Sequence, residues 1–165
     1  MEIDWKDLEA IKRLKYRYMR CIDTKQWDEL RDCFTDDAEA AYSGGKYSYA
    51  GADAIMEFLS GAMGDDGFHS SHQVSQPEID LVDAHTATGT WSLQDWVIDT
   101  RFDITIRGAA FYEDEYRLGA DGRWRISKTG YQRTYEEMYS RKALEGLKLT
   151  ASRWQSGGRS EIDVD

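Results

Sequence analysis

The sequence predicts an α+β domain in which one curved antiparallel sheet wraps as a cone around a long N-terminal helix. Three observations predict it. Trp5, Leu8, Ile11, Lys15, Tyr18 and Ile22 follow the three-and-four spacing of one helical face. From Phe68 onward the pattern switches to period two and keeps it through a series of long segments. Helices come first and strands after, in 165 residues, enough for one good core and not two. A sheet curled over a helix leaves an interior that can hold a ligand.

The first helix places Tyr18 on its inward side with Leu14 beside that face, and Lys6, Arg13, Arg17 and Arg20 on other sides. It is expected to end near Asp23-Thr24-Lys25. A short second helix follows, with Trp27, Leu30, Arg31 and Phe34 as its faces and Asp36-Asp37 closing it. Ala38 to Tyr49 reads as a hairpin broken at Gly44-Gly45, with Tyr42 just before the turn. Gly51-Ala52-Asp53 opens a third helix through Ile55, Met56, Phe58 and Leu59, ending in the glycine-rich stretch 61–67, mobile by composition.

In the first long strand Phe68, Ser70, His72 and Val74 share one face, and His69, Ser71 and Gln73 share the other. Thr86–Ile98, Ile104–Leu118 and Arg123–Tyr135 complete the strand set, with a tight-turn signal at Ala120-Asp121-Gly122. Residues 1–140 form the domain and 141–165 an extension. In it Leu144, Leu147 and Leu149 need burial over a pocket mouth or a neighbouring subunit, and Ser156–Asp165 is expected to be loose.

Ten tyrosines and six tryptophans against one proline indicate a packed, β-rich body. The net charge of −10 argues against nucleic acid and anionic membrane as partners, because no basic stripe exists to release counterions. Met1-Glu2-Ile3-Asp4-Trp5 is acidic where a secretory signal is basic and then apolar, and no run approaches the roughly 18 apolar residues of a membrane span. Cys21 and Cys33 have no ligand-like spacing and read as reduced thiols. A cytoplasmic protein is expected.

Several residues could carry chemistry. His72 is inward, shares its face with Phe68 and Val74, and has the small Ser70 beside it; a hydrogen-bonded core histidine has the same signature. His69 points the other way, so the pair cannot chelate one metal; His85 falls in a turn, and no metal site is expected. Asp23 stands at the end of the first helix, where Asp23-Thr24-Lys25-Gln26 also fits a capping box for the next one. Tyr18 is an inward phenol, or a core tyrosine tied to backbone. Together a phenol, a carboxylate and an imidazole supply an oxyanion donor, an orienter and a base. Tyr42, Tyr112 and Arg133 are further polar candidates. Tyr112 follows the small residues Gly108-Ala109-Ala110; Arg133 also fits an outward ion pair to Glu136 or Asp114. No Gly-x-Ser-x-Gly elbow, phosphate loop or dinucleotide fingerprint occurs.

The pattern resembles the nuclear transport factor 2-like superfamily in its polyketide-cyclase and scytalone-dehydratase branch, and within it the bile acid 7α-dehydratases. The likeness is carried by Ala10-Ile11-Lys12-x-Leu14-Lys15, Tyr18-x-Arg20-Cys21-x-Asp23-x-Lys25-x-Trp27-Asp28-Glu29-Leu30 and Tyr42-Ser43-x-Gly45-Lys46. It continues through His72, Pro77-Glu78-Ile79, Thr86-Ala87-Thr88-Gly89-x-Trp91, Ala110-Phe111-Tyr112 and Thr129-Gly130-Tyr131-x-Arg133-x-Tyr135-Glu136-Glu137, spanning about Ile11 to Tyr139. The resemblance implies a cone-shaped α+β barrel, a homo-oligomer (trimer or dimer), and no cofactor. It also implies pocket roles for Tyr18, Asp23, Tyr42, His72, Tyr112 and Arg133. Scytalone dehydratase uses two pocket histidines; this sequence offers one, which favours a steroid-like over a naphthol-type substrate. The expected function is a cofactor-independent dehydratase acting on a hydrophobic hydroxylated cyclic ketone or enone. The alternatives are a double-bond isomerase or cyclase, or a non-catalytic small subunit of an aromatic-ring dioxygenase.

Overall fold

A computed structural model describes residues 4–162. Helix α1 (Trp5–Asp23) starts at Asp4, whose side chain accepts from the Lys6 N–H, and it closes at Thr24. Its inward face buries Ile11, Leu14, Lys15, Tyr18, Met19, Cys21 and Ile22. The first turn overhangs the core, so Trp5 stays 67% exposed although it continues the apolar spacing.

Helix α2 (Trp27–Arg31) is shorter than the sequence suggests, because Phe34 already belongs to strand β1 (Phe34–Tyr42). Phe34 pairs with Ile126, and that sheet pairing overrides the helical spacing. Asp36 and Asp37 therefore lie in a strand, where they meet Arg31 and Arg117, and close no helix. Strand β2 (Tyr47–Ala50) completes the expected hairpin, with Tyr42 opposite Tyr47. Helix α3 (Ala52–Met63) is entered through Gly51 at φ 89, a left-handed conformation that favours glycine. It runs through Gly61 to Met63, so only Gly64–Gly67 is left as the loop.

Strands β3 (Phe68–Leu81), β4 (Thr86–Asp99), β5 (Ile104–Leu118) and β6 (Trp124–Ser140) form an antiparallel run. β6 extends five residues past Tyr135, through a polar, mostly exposed stretch that carries no apolar alternation to read. The sheet order is β2-β1-β6-β5-β4-β3, and β1 joins β6 in parallel, the one departure from an antiparallel sheet. Trp91, Leu93, Ala110, Tyr112, Tyr116 and Ile126 form the concave face, and α1 and α3 cover it. The N-terminal half of α1 lies over the end of the sheet marked by Trp124, whose indole donates to Asp7. Its C-terminal end reaches β3, an edge strand of the sheet.

Beyond β6 a 3-10 turn (Arg141–Ala143) is tied to Asp103 and Thr105. Leu144 and Leu147 are 47% and 44% exposed in the single chain. The extension then returns to the core: buried Ser152 bonds His69 Nε2 at 2.9 Å, and Lys25 Nζ lies 4.2 Å from the centre of the Trp154 ring. The tail expected to be loose folds back at Glu161, whose N–H bonds Thr150; residues 163–165 lie outside the described residues. Among the described residues no helix is long and apolar enough to cross a membrane.

Candidate active site

α1 ends where β3 presents the open edge of the sheet. An edge strand exposes backbone donors that need partners, and Asp23 supplies one. Its Oδ2 accepts the His72 backbone N–H at 2.8 Å. Its Oδ1 accepts Ser70 Oγ at 2.8 Å and meets His72 Nδ1 at 2.6 Å. The carboxylate accepts from Nδ1, so the proton of a neutral ring sits there and Nε2 keeps its lone pair. His72 is 12% exposed and Asp23 21%, a dyad half-sheltered and still reachable. The capping reading of Asp23 is overturned: the residue ends α1, and the N-cap position of α2 is Gln26, which makes no side-chain cap bond.

The phenols gather further along the concave face. Tyr18 and Tyr42 share a hydroxyl–hydroxyl bond of 2.9 Å. The Tyr112 ring meets Tyr18 edge-on at 6.3 Å and Tyr131 at 5.3 Å. Burial drives the pKa of Tyr18, Tyr112 and Tyr42 upward, so all three stay neutral donors through the physiological range. Sheet register separates them from the imidazole: His72 stands opposite Asp95, whereas Tyr112 stands opposite Trp91. Four residues along a strand is about 13 Å, and Leu93, flanked by Val74 and Ala110, floors the interval. No hydrogen bond joins the dyad to the phenols among the described residues.

Arg133 is an inward residue. Its guanidinium crosses to β4 and grips Asp95 with two bonds, of 2.5 and 2.9 Å, while its Nε meets Glu136 at 3.0 Å. Burial works against the Arg133 charge, but the Asp95 hydrogen bonds and charge outweigh it and raise its pKa. Gly108 makes the crossing possible, since a Cβ there comes within 2.9 Å of Arg133 Nη1 and 2.6 Å of the Tyr135 carbonyl. A hollow of about 690 Å3 lies on the opposite, outer face of the sheet, lined by Thr88, Thr90, Phe111, Gln132 and Thr134. It is remote from the inward dyad.

The Ser70–Asp23 bond, the Asp95 and Gly108 contacts of Arg133 and the Lys15–Asp114 pair are not among the sequence expectations. The signal for three of these residues was available, because Lys15, Asp95 and Asp114 are charged residues on faces otherwise apolar. Lys15 Nζ reaches Asp114 at 2.7 Å, with neither side chain exposed.

These features define a class: an α+β cone of the nuclear transport factor 2-like type with an inward His–Asp pair. The chain belongs to the SnoaL-like domain family, whose model matches residues 4–130. Among solved structures it is similar to a candidate scytalone dehydratase from Novosphingobium aromaticivorans, with 24% identity, a TM-score of 0.75, and 82% of this chain covering 89% of that one. It is similar to a hexachlorocyclohexane dehydrochlorinase from Novosphingobium barchaimii at 21% identity and TM-score 0.74, over 88% of this chain and 94% of the other. A candidate aromatic ring hydroxylase from Novosphingobium aromaticivorans matches at 21% and 0.75, over 84% and 95%. Likeness at these identities shows the fold.

Proposed function

We propose that the chain is a cofactor-independent hydro-lyase that eliminates water from a hydroxylated, steroid-like cyclic ketone or enone. The observation that carries this reading is the 2.6 Å contact between His72 Nδ1 and Asp23, which leaves Nε2 as a base on the concave face. His72 Nε2 removes a proton from a carbon acidified by conjugation, and the electron pair moves into a dienolate. Asp23 stabilises the imidazolium. Tyr18 and Tyr42 spend one phenolic hydrogen on each other, which leaves one to donate to the dienolate oxygen. The dienolate then collapses, the C–O bond breaks, and the imidazolium proton leaves with hydroxide as water.

A positioned base contributes about 10²–10⁴ in rate and an oxyanion donor roughly 3–4 kcal/mol. The phenols are buried, with Phe58 and Tyr131 against Tyr42 and Tyr131 against Tyr112, so substrate entry requires those two rings to move. Arg133, already neutralised by Asp95 and Glu136, favours a neutral polar group over a free carboxylate. Two of the similar structures carry names that denote eliminations, of water and of hydrogen chloride. The hydroxylase-named neighbour keeps the subunit alternative in view, but an assembly subunit has no use for an inward base.

We also infer a homo-oligomer formed through the outer face of the sheet. Trp96, Phe111 and Tyr135, 42%, 51% and 55% exposed, stand on that face, with the Arg107 guanidinium 5.4 Å from the centre of the Trp96 ring, and aromatics and arginine are the residues enriched at association surfaces.

The test is a spectrophotometric assay on a 7α-hydroxy-3-oxo-4-ene steroid, following the extended dienone, with His72→Ala beside the wild type. Product from the wild type alone supports the reading. A shifted double bond without loss of water moves the assignment to an isomerase, and no conversion by the wild type refutes the proposed substrate class.

A further inference from the structure

We propose that Lys15 is a positioning residue for the phenol donors, a fixed positive charge held beneath Tyr112 and Tyr18. The inference rests on the reading of the cone interior as the site where an enolate develops. Lys15 lies on the inward face of α1, wholly buried, with its ammonium 3.5 Å from the centre of the Tyr112 ring and 4.9 Å from that of Tyr18. Among the described residues its single ionic partner is Asp114, at 2.7 Å.

The two halves of this pair are treated differently by their surroundings. Asp114 also accepts from Thr129 Oγ1 at 2.7 Å and from Tyr116 Oη at 2.6 Å, and Tyr116 Oη is itself fixed by Trp91 Nε1 at 2.8 Å. The carboxylate charge is thus spread over three donors. The ammonium has no such company and faces aromatic rings. Burial lowers the Lys15 pKa while Asp114 opposes the loss of its proton. Stability alone does not explain the arrangement, because apolar residues of similar volume fill such a site at no desolvation cost.

A cation on a ring face draws electron density from the ring, which strengthens the phenol as a donor. It also adds a preorganised positive field where enolate charge accumulates, in a medium that screens it poorly. Lys15 acts through Tyr112 and Tyr18 and need not touch substrate.

The probe is 2-naphthol, an enolate mimic whose bound naphtholate-to-naphthol ratio is read by absorbance at fixed pH under saturation. This readout is independent of whether the reaction is dehydration or isomerisation. Lys15→Met is expected to lower the ratio about tenfold, the effect of one unit charge at roughly 10 Å with ε ≈ 20. The double variant Lys15→Met/Asp114→Asn, which leaves no unpaired buried charge, is expected between the two and carries the test where the single variant does not fold. Thr129→Val disturbs the same network without changing charge and is expected within twofold of wild type. Turnover of the steroid should show the Lys15→Met loss in kcat with KM nearly unchanged. Equal ratios in wild type and both Lys15 variants, or an equal fall in Thr129→Val, overturn the inference while leaving the dehydratase reading standing. Failure of wild type to bind naphthol overturns both.

Discussion

Replacing Asp23 with Asn tests the dyad with the smallest change of shape. Asp23 Oδ1 serves His72 Nδ1 and Ser70, and Oδ2 serves the His72 backbone N–H. An amide offers one acceptor and one donor in their place. With its oxygen toward Nδ1, the NH2 group confronts the backbone N–H and a buried hydrogen bond is lost, at about 1–3 kcal/mol. With its NH2 toward Nδ1, the ring proton is forced onto Nε2, and the base becomes a donor. Both orientations also remove the counter-charge of the imidazolium. The same exchange in the Ser-His-Asp triad lowers kcat about 10⁴-fold through the wrong tautomer. We expect kcat to fall about 10²–10⁴-fold, roughly 3–5 kcal/mol of barrier. KM should move less than about threefold, because the reaction derived above gives Asp23 no contact with substrate. Steady-state dienone formation measures both constants, and a urea transition confirms folding. A folded Asp23→Asn protein that keeps a third of wild-type kcat, or one whose loss lies wholly in KM, would falsify the dyad.

Gly108→Ala places a methyl group against Arg133 Nη1 and the Tyr135 carbonyl, so the Arg133–Asp95 grip should break; we expect a loss of about 1–3 kcal/mol in a denaturant titration and a raised KM. The raised pKa values of Tyr18 and Tyr112 make the folded state bind more protons than the unfolded chain above the ordinary tyrosine range; stability should hold below about pH 10 and fall above it, as urea midpoints against pH will show. Burial pushes the Cys21 thiol up to about 11 and Cys33 to about 12; both should react with a disulfide reagent at pH 8 only after unfolding, and rapid labelling of native protein contradicts this. Phe111→Lys on the outer face should lower the molecular mass seen by light scattering without loss of fold, and an unchanged mass refutes that face as the interface.

The fold was largely legible because its long elements have unbroken periods. Ile104–Leu118 is the strand that the alternation marks, and α1 ends within the predicted Asp23–Lys25 window. The failures occurred where a long-range pairing outweighed local pattern. Phe34 left a helical spacing to pair with Ile126, and the end of β6 pairs with β5 through polar residues that no apolar rhythm announces. The site was legible as a set of residue types, and Asp23 and His72 do converge. Its wiring was not. The sequence offers Arg133 both Glu136 and Asp114, whereas its main partner is Asp95, 38 residues away and reachable because Gly108 lacks a side chain. Pattern shows which face a side chain takes; it does not show which of several inward charges meet.

The placement of Asp23 joins the structural and chemical readings of that residue. β3 is an edge strand, and the His72 N–H on its open side needs an acceptor whatever the protein does. The end of α1 is also the negative pole of the helix dipole, which disfavours a carboxylate and favours a cation. Three hydrogen bonds from β3 offset the first effect and hold Asp23 in place. The second acts on His72 once it has taken a proton. The carboxylate that seals the sheet edge is thus also the one that orients the imidazole, at a helix end suited to the charged intermediate. Ser70→Ala separates the two duties: it removes one donor from Oδ1 and leaves both His72 contacts, so it should cost stability of about 1 kcal/mol with little change in kcat. A large loss of kcat with intact stability would mean that Ser70, and not the strand edge, sets the orientation of the carboxylate.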